Sequence, residues 1–234
     1  MIRYLIIALL GLLPLAIHAA EPAVLRIAVA ANFKPTLTAI SADFETETGI
    51  ELRISSASTG VLANQLAHGA PYDLFFAADQ ASPRWLHERD PERFGEPFCY
   101  ARGELVLAGS DRLSALADPA FSLAIANPRT APYGKAAAAV LARSDFAAGQ
   151  GRKLVRGNNA LQAFQFWHTG AVQMALLPRA LAPKGIAVPA DWHPSLDQHA
   201  LVAKPSAAAS AYLAWLKSDT VRALISQAGY EPCP

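Results

Sequence analysis

The hydrophobic positions of this 234-residue chain follow two alternating periods, one typical of buried strands and one typical of helices. Residues 25–30 form a short, mostly apolar run of the kind found in strands that are buried on both faces. From Phe33 to Phe44, apolar residues then recur every three or four positions, which predicts a helix. Gly49 follows this helix and is expected to end it as the C′ residue.

The same alternation continues to the end of the chain. Further strands are predicted at 50–54, 73–77, 104–108, 122–126, 172–177 and 200–203. Further helices are predicted at 61–68, 134–143, 160–168, 207–217 and 220–228. Another is predicted to begin after Ser82, as its N-cap, with Pro83 at the first helical position. Because strands and helices alternate, we expect parallel sheets with helices on both faces. In such sheets ligands bind beyond the carboxyl ends of the strands.

Small polar residues mark four places where a predicted helix begins. Ser-Ser-Ala-Ser-Thr-Gly at 55–60 follows a strand, and Asn32 follows the first strand. Ala-Pro-Tyr-Gly at 131–134 and Asn-Asn at 158–159 each precede another helix. The first N–H groups of a helix have no intrahelical partner and lie at the positive end of its dipole, so they attract anions. The four junctions therefore predict an oxyanion site built from uncharged donors.

Three cations lie near these junctions. Lys34 and Lys135 are each about one turn from a proposed contact and are expected to be solvated, although either could steer an anion toward the site. Arg129 is the one candidate for an arginine clamp, which a carboxylate ligand would require.

The first 20 residues predict an export signal. Arg3 provides a positive start, residues 5–17 are apolar, and Ala19 or Ala20 completes a small-residue cleavage region. No later stretch reaches the roughly 20 apolar residues that a membrane span needs. We therefore expect a mature chain that begins at Glu21 and is secreted or periplasmic.

Charge and motif content exclude several functional classes. Without Arg3 the chain has 19 Lys and Arg residues against 19 Asp and Glu, with no basic cluster, so nucleic-acid binding is not expected. The six histidines show no metal-ligand spacing, and the nucleophile-elbow and dinucleotide-loop motifs are absent, so we predict no metal and no cofactor. The chain has two cysteines, Cys99 and Cys233, and an even number favours a disulfide in an oxidising compartment. Two free thiols are the alternative.

A series of short motifs runs through the whole mature chain in a fixed order. They are Ala-Val-Ala-Ala-Asn-Phe (28–33), Phe-Glu-x-x-Thr-Gly (44–49), Ser-Thr-Gly (58–60), Gly-Ala-Pro-Tyr-Asp-Leu-Phe-Phe-Ala-Ala-Asp (69–79), Ala-Ile-Ala-Asn-Pro-x-Thr-Ala-Pro-Tyr-Gly (124–134), Gly-Asn-Asn-Ala-Leu-Gln-Ala-Phe-Gln-Phe (157–166) and Gly-Tyr-Glu (229–231). This series resembles the periplasmic molybdate-binding proteins of ABC transporters. The segments at 69–79 and 124–134 are the most specific.

The resemblance implies an α/β protein of the two-lobed type II periplasmic binding class, with parallel-rich sheets flanked by helices and a ligand cleft between the lobes. Lobe one would comprise 21–99 and a return segment, 206–234, and lobe two 100–205. The chain would cross between the lobes near 100–104 and again near 204–206. Cys99 and Cys233 would then both fall in or beside lobe one, which favours their bridge.

The resemblance also implies a function: a monomer without enzymatic activity that binds molybdate or tungstate and delivers it to a membrane permease. Carried over position by position, the ligand-binding set is Asn32, Thr59 with Ser58 as its companion or substitute, and the main-chain N–H groups of Tyr133 and Asn159.

One position departs from the family pattern. Leu177 aligns where many relatives have a tyrosine, which removes one phenolic donor. This departure keeps sulfate or an organic acid open as an alternative ligand. A secreted α/β hydrolase with Ser58 as nucleophile is the least favoured reading, since no histidine has an identifiable partner role.

Overall fold

The computed structural model describes residues 23–234, so the predicted signal peptide at 1–20 lies outside the described residues. The strands are β1 (Val24–Ala30), β2 (Glu51–Ala57), β3 (Leu74–Phe76), β4 (Phe98–Arg102), β5 (Leu105–Ala108), β6 (Leu123–Ala126), β7 (Leu154–Gly157), β8 (Met174–Pro178), β9 (Ile186–Ala187) and β10 (Asp197–Val202). The α-helices are α1 (Lys34–Thr48), α2 (Thr59–Ala67), α3 (Ala81–Arg89), α4 (Pro132–Leu141), α5 (Ala160–His168), α6 (Ala207–Leu216) and α7 (Asp219–Gln227). Short 3-10 helices lie at Leu113–Ala117, Ser144–Gly149 and Ala190–Trp192.

The strands form two five-stranded sheets, one in each lobe. Their orders are β2-β1-β3-β10-β4 and β7-β6-β8-β5-β9. Apolar clusters cover both faces of each sheet, so each lobe has a core on either side of its strands. The α/β class and the two-lobed architecture are therefore confirmed.

The sheets are mixed, whereas parallel-rich sheets were expected. β10 runs antiparallel to β3 and β4, and β5 runs antiparallel to β8 and β9. Both β5 and β10 are the first strands after the chain has passed from one lobe to the other. Each begins at the end of its sheet that faces the other lobe. The neighbouring strands finish at that end, so β5 and β10 run antiparallel to them.

The second crossing between lobes lies earlier than predicted. The first falls at Gly103 and Glu104, between β4 and β5, within the predicted 100–104. The second was expected near 204–206, but β10 already belongs to the first sheet, so the chain returns between β9 and β10. Residues 203–206 only connect β10 to α6 within lobe one, where the N–H groups of Ala203 and Lys204 donate to the carbonyl oxygen of Asp73.

Helix ends largely follow the sequence signals. Gly49 has φ 68° and donates its N–H to the carbonyl oxygen of Glu45, as expected for a C′ glycine. The N-cap predicted at Ser82 is wrong, since α3 begins at Ala81. The carboxylate of Asp79 accepts from the N–H and the hydroxyl of Ser82 at 2.9 and 3.2 Å and satisfies the first turn instead. Pro83 is tolerated there because first-turn N–H groups have no intrahelical partner.

The predicted disulfide is confirmed: Cys99 in β4 is bonded to Cys233 near the C-terminus, with a Cα–Cα distance of 6.0 Å. The bridge, together with paired main-chain hydrogen bonds between Arg102 and Glu231, holds the last residues against lobe one. No helix in the described part of the chain is both long and apolar enough for a membrane crossing.

Candidate oxyanion site

The five predicted site residues line one narrow cavity between the lobes. Its walls are formed by Ala30, Ala31, Asn32, Ser58, Thr59, Ala78, Ala131, Pro132, Tyr133, Asn159 and Ala160. Helices α1 and α2 of lobe one and α4 and α5 of lobe two all begin at or beside this cavity. The parallel strands β1, β2 and β7 deliver the chain to three of these starts, as the rule for ligand sites in α/β sheets predicts.

Ser58 provides the most distinctive group of the cavity. The residue is 4% exposed, and its hydroxyl has no hydrogen-bond partner among the described residues. Although it is the N-cap of α2, it makes no side-chain cap bond. A buried hydroxyl without a partner costs roughly 1–3 kcal/mol, so its presence points to a ligand that accepts from it.

Thr59, at the first position of α2, is also buried. Its hydroxyl oxygen accepts from the main-chain N–H of Ala78 at 3.0 Å. The hydroxyl hydrogen therefore remains available, and the accepted bond fixes the side-chain rotamer. Together Ser58 and Thr59 present two adjacent hydroxyl donors at a helix N-terminus.

Asn32 is buried, and its side chain is turned into the protein. Its Nδ2 donates to Oε1 of Gln198 at 2.8 Å and lies 3.4 Å from the hydroxyl of Tyr230. That hydroxyl donates in turn to the main-chain oxygen of Asn32 at 2.9 Å. The main-chain N–H of Asn32 has no acceptor in the described part of the chain, so it is the donor that this residue offers to the cavity.

Tyr133 is buried at the second position of α4, where its main-chain N–H has no intrahelical partner. Its phenolic oxygen accepts from Nε2 of Gln198 at 3.3 Å. Burial raises the pKa of the Tyr133 phenol well above its ordinary value, so this side chain stays neutral.

Asn159 is the N-cap of α5. Its side-chain oxygen accepts from the N–H of Gln162 at 2.9 Å, while Oε1 of Gln162 accepts from the N–H of Asn158 at 2.6 Å. This reciprocal arrangement resembles a capping box and occupies the side-chain oxygen of Asn159. The main-chain N–H groups of Asn159 and Ala160 have no acceptor in the described part of the chain and are donors that the start of α5 offers to the cavity.

No charged side chain lines the cavity among residues 23–234. Lys135 lies on the exposed groove at the mouth of the cleft, and Lys34 is half-buried outside the cavity. Arg129 is exposed and is also outside it. Leu177 is buried in the apolar core of lobe two and does not line the cavity.

Gln198 was missed by the sequence analysis. It is fully buried on β10 and touches residues of both lobes. Its strand was predicted to start at Ala200, because a polar glutamine next to Asp197 does not fit an apolar strand pattern. The available signal was the alternation of Gln198, Ala200 and Val202 on one face of the strand.

A model of the family described as bacterial extracellular solute-binding protein matches residues 25–231. The chain belongs to this family. Within the family, it is 36% identical to the molybdate-binding protein ModA of Azotobacter vinelandii, in an alignment covering 94% of this chain and 93% of that protein. It is 32% identical to ModA of Rhodobacter capsulatus, over 95% of this chain and 94% of that protein.

The family fold is also seen in solved structures. The periplasmic molybdate-binding protein of A. vinelandii superposes with a TM-score of 0.79 at 32% identity, covering 90% of this chain and all of that chain. The resemblance read from the motifs is thereby confirmed.

Proposed function

We propose that this chain is a periplasmic substrate-binding protein that binds molybdate, or the similar anion tungstate, and delivers it to a membrane permease. The observation that carries the proposal is the unpartnered, buried hydroxyl of Ser58 at a cavity where four helices begin. The two ModA relatives, named as molybdate-binding proteins, support the choice of anion.

The donor set fits a fully deprotonated tetrahedral oxyanion. The two hydroxyls of α2 and the main-chain N–H groups of Asn32, Tyr133 and Asn159 are all neutral donors. Hydrogen bonds to a charged acceptor contribute roughly 1.5–3 kcal/mol each, so these five donors are enough for micromolar to nanomolar affinity after the cost of closing the lobes. Fixed dipoles replace the hydration shell of the anion without a counter-ion.

Closure of the lobes gives the signal for delivery. Donors from lobe one and lobe two contact the same ion, so the liganded protein favours the closed form that a permease can distinguish. We propose that residues 1–20 act as a cleavable export signal, that the mature protein is a monomer, and that the site carries out no catalysis. The hydroxyl of Ser58 has no histidine or carboxylate partner among the described residues, which argues against a hydrolase.

Calorimetric titration of purified, anion-stripped protein tests the proposal. Molybdate and tungstate are expected to bind with micromolar or tighter Kd, and sulfate and phosphate much more weakly. Binding of sulfate or an organic acid alone would show the choice of ligand to be wrong. Rescue of molybdate-limited growth in a strain that lacks its own molybdate-binding protein tests the delivery step.

A further inference from the structure

We infer that Gln198 is a positioning residue for the oxyanion site. Its side-chain amide fixes the relative positions of the cavity walls contributed by lobe one and lobe two. The inference rests on the proposed function. Gln198 does not line the cavity; it lies behind it, fully buried, between Asn32 of lobe one and Tyr133 of lobe two. It belongs to the strand that brings the chain back into lobe one, and the register of this strand shifts directly after it. Such irregularities re-aim side chains.

The directions of the hydrogen bonds around Asn32 are fixed by the single phenolic hydrogen of Tyr230. This hydrogen is donated to the main-chain oxygen of Asn32 at 2.9 Å. The Tyr230 oxygen can therefore only accept from the Asn32 side chain, so the atom facing it at 3.4 Å is Nδ2. The same Nδ2 faces Gln198 at 2.8 Å, which requires the acceptor Oε1 there.

This orientation decides what Gln198 does on its other side. Oε1 also lies 2.9 Å from the hydroxyl of Tyr100, whose one hydrogen is shared between Oε1 and the main-chain oxygen of Ala77 at 3.1 Å. Both donors that face Oε1, Asn32 and Tyr100, therefore belong to lobe one. Nε2 is then directed at lobe two, where it donates to the phenolic oxygen of Tyr133 at 3.3 Å. The planar amide of Gln198 thus places an acceptor toward lobe one and a donor toward lobe two.

Both contacts affect groups that face the anion. Because Gln198 binds the Asn32 amide, that side chain is held inside the protein and the main-chain N–H is left for the cavity. Because Gln198 binds the Tyr133 phenol, the first turn of α4 is tied to lobe one, and with it the main-chain N–H of Tyr133. A change in either contact would move a ligand donor that Gln198 itself does not touch.

Close packing leaves Gln198 little freedom to reorient. Gly103, at the first crossing, lies against it: a Cβ at this position would be 2.6 Å from Nε2 of Gln198 and would collide with the Tyr133 hydroxyl. Loss of the amide would thus leave unpaired polar groups in a buried, closely packed site, where an unpaired polar group is costly.

Molybdate titration of purified Gln198→Met and Gln198→Glu variants tests the inference. Gln198→Met keeps the approximate volume and removes both polar atoms, and we expect its Kd to rise roughly tenfold or more, in the range of a lost buried hydrogen bond. Gln198→Glu keeps the shape but replaces the Nε2 donor by an oxygen, so the contact with the Tyr133 phenolic oxygen changes and the Kd should rise as well; an ionised carboxylate there would also repel the dianion. Ser41→Ala is the matched control. It breaks another buried hydrogen bond, Ser41 to Tyr212 at 2.7 Å, away from the site, and should leave Kd unchanged.

A double-mutant cycle with Tyr133→Phe separates positioning from general destabilisation. If Gln198 acts through Tyr133, the losses in molybdate affinity should be clearly less than additive in the double variant. Additive losses, or a Gln198→Met variant within twofold of wild type, would overturn the inference. Should Gln198→Met fail to fold, an unchanged Kd in Tyr133→Phe would overturn it equally. A wild-type protein that binds neither molybdate nor tungstate would instead refute the proposed function, and the inference with it.

Discussion

The main-chain N–H of Gly60 in lobe one donates to the carbonyl oxygen of Thr130 in lobe two at 2.9 Å. Gly60 is the second residue of α2, directly after Thr59, and Thr130 lies just before α4. The bond thus joins the lobes beside the anion cavity and uses a helix-start donor that would otherwise be unpaired. It is a direct link between lobe closure and the site.

Gly60→Ala should weaken anion binding without weakening the fold. A Cβ at Gly60 would lie 3.2 Å from the Thr130 oxygen, so the lobes could close only after a shift of a few tenths of an ångström. Alanine in place of glycine in a helix favours folding by up to about 1 kcal/mol. We expect a Kd for molybdate several times higher, with an equal or higher Tm. Gly95→Ala is the matched control, since its Cβ would meet only ordinary contacts at 3.4 Å or more; a parallel loss of affinity there would contradict the prediction.

Ser58→Ala and Thr59→Val should separate a ligand contact from a structural one. Ser58→Ala removes a buried hydroxyl that has no partner, so we expect roughly tenfold weaker anion binding and no loss of stability. Thr59→Val also leaves the N–H of Ala78 without its acceptor and should cost about 1–3 kcal/mol of unfolding free energy in addition to affinity. Calorimetry and urea unfolding measure the two effects. Unchanged binding in Ser58→Ala would remove the main support for the proposed site.

The positions where the four helices at the cavity begin were predictable from the sequence. The order of the strands in the sheets explains why these helix starts lie close together. Asn32 and Ser58 follow β1 and β2, which are parallel neighbours in one sheet, so their helices begin at the same end of that sheet. Asn159 follows β7 in the other sheet, a strand that was not predicted, and meets them at the cavity between the lobes. The helices that begin there, residues 34–48, 59–67, 132–141 and 160–168, were each found within about two residues of the predicted starts.

The three missed strands, β4, β7 and β9, are all edge strands of their sheets. The fourth edge strand, β2, was predicted because its apolar residues alternate clearly at 50–54. Edge strands pair on one side only and need no continuous apolar run, so their periodic signal is weak. Gln198 was missed for a related reason: its partners Asn32 and Tyr133 are distant in sequence, and local periodicity carries no information about such contacts.

Breaking the disulfide should lower stability and leave the site intact. The bridge joins cysteines 134 residues apart, and the chain-entropy model assigns about 4–5 kcal/mol to a loop of this size. Neither cysteine lines the cavity, and the paired hydrogen bonds between Arg102 and Glu231 still hold the C-terminal segment that carries Tyr230. The Cys99→Ser/Cys233→Ser variant should unfold at lower denaturant concentration with an unchanged Kd for molybdate. Reductant should destabilise the wild type and not this variant; equal stability with and without the bridge would contradict the prediction.

Anion affinity should be independent of pH from about 6.5 to 9. Burial raises the pKa of the Tyr100 and Tyr133 phenols well above their ordinary value near 10, so both remain neutral throughout this range. Because the pKa of these phenols is higher in the folded state than in the unfolded state, the free energy of unfolding is unaffected by them below pH 10 and falls as the pH rises beyond it.

The binding of the anion itself involves no protonation step at the cavity wall, because no charged group lines it among the described residues. Calorimetric titrations across this range should give one Kd within about twofold, while thermal unfolding should show a fall in Tm only above pH 10. A steep loss of affinity between pH 7 and 9 would instead indicate that a histidine or lysine contacts the anion, and the account of the site as a set of neutral donors would be wrong.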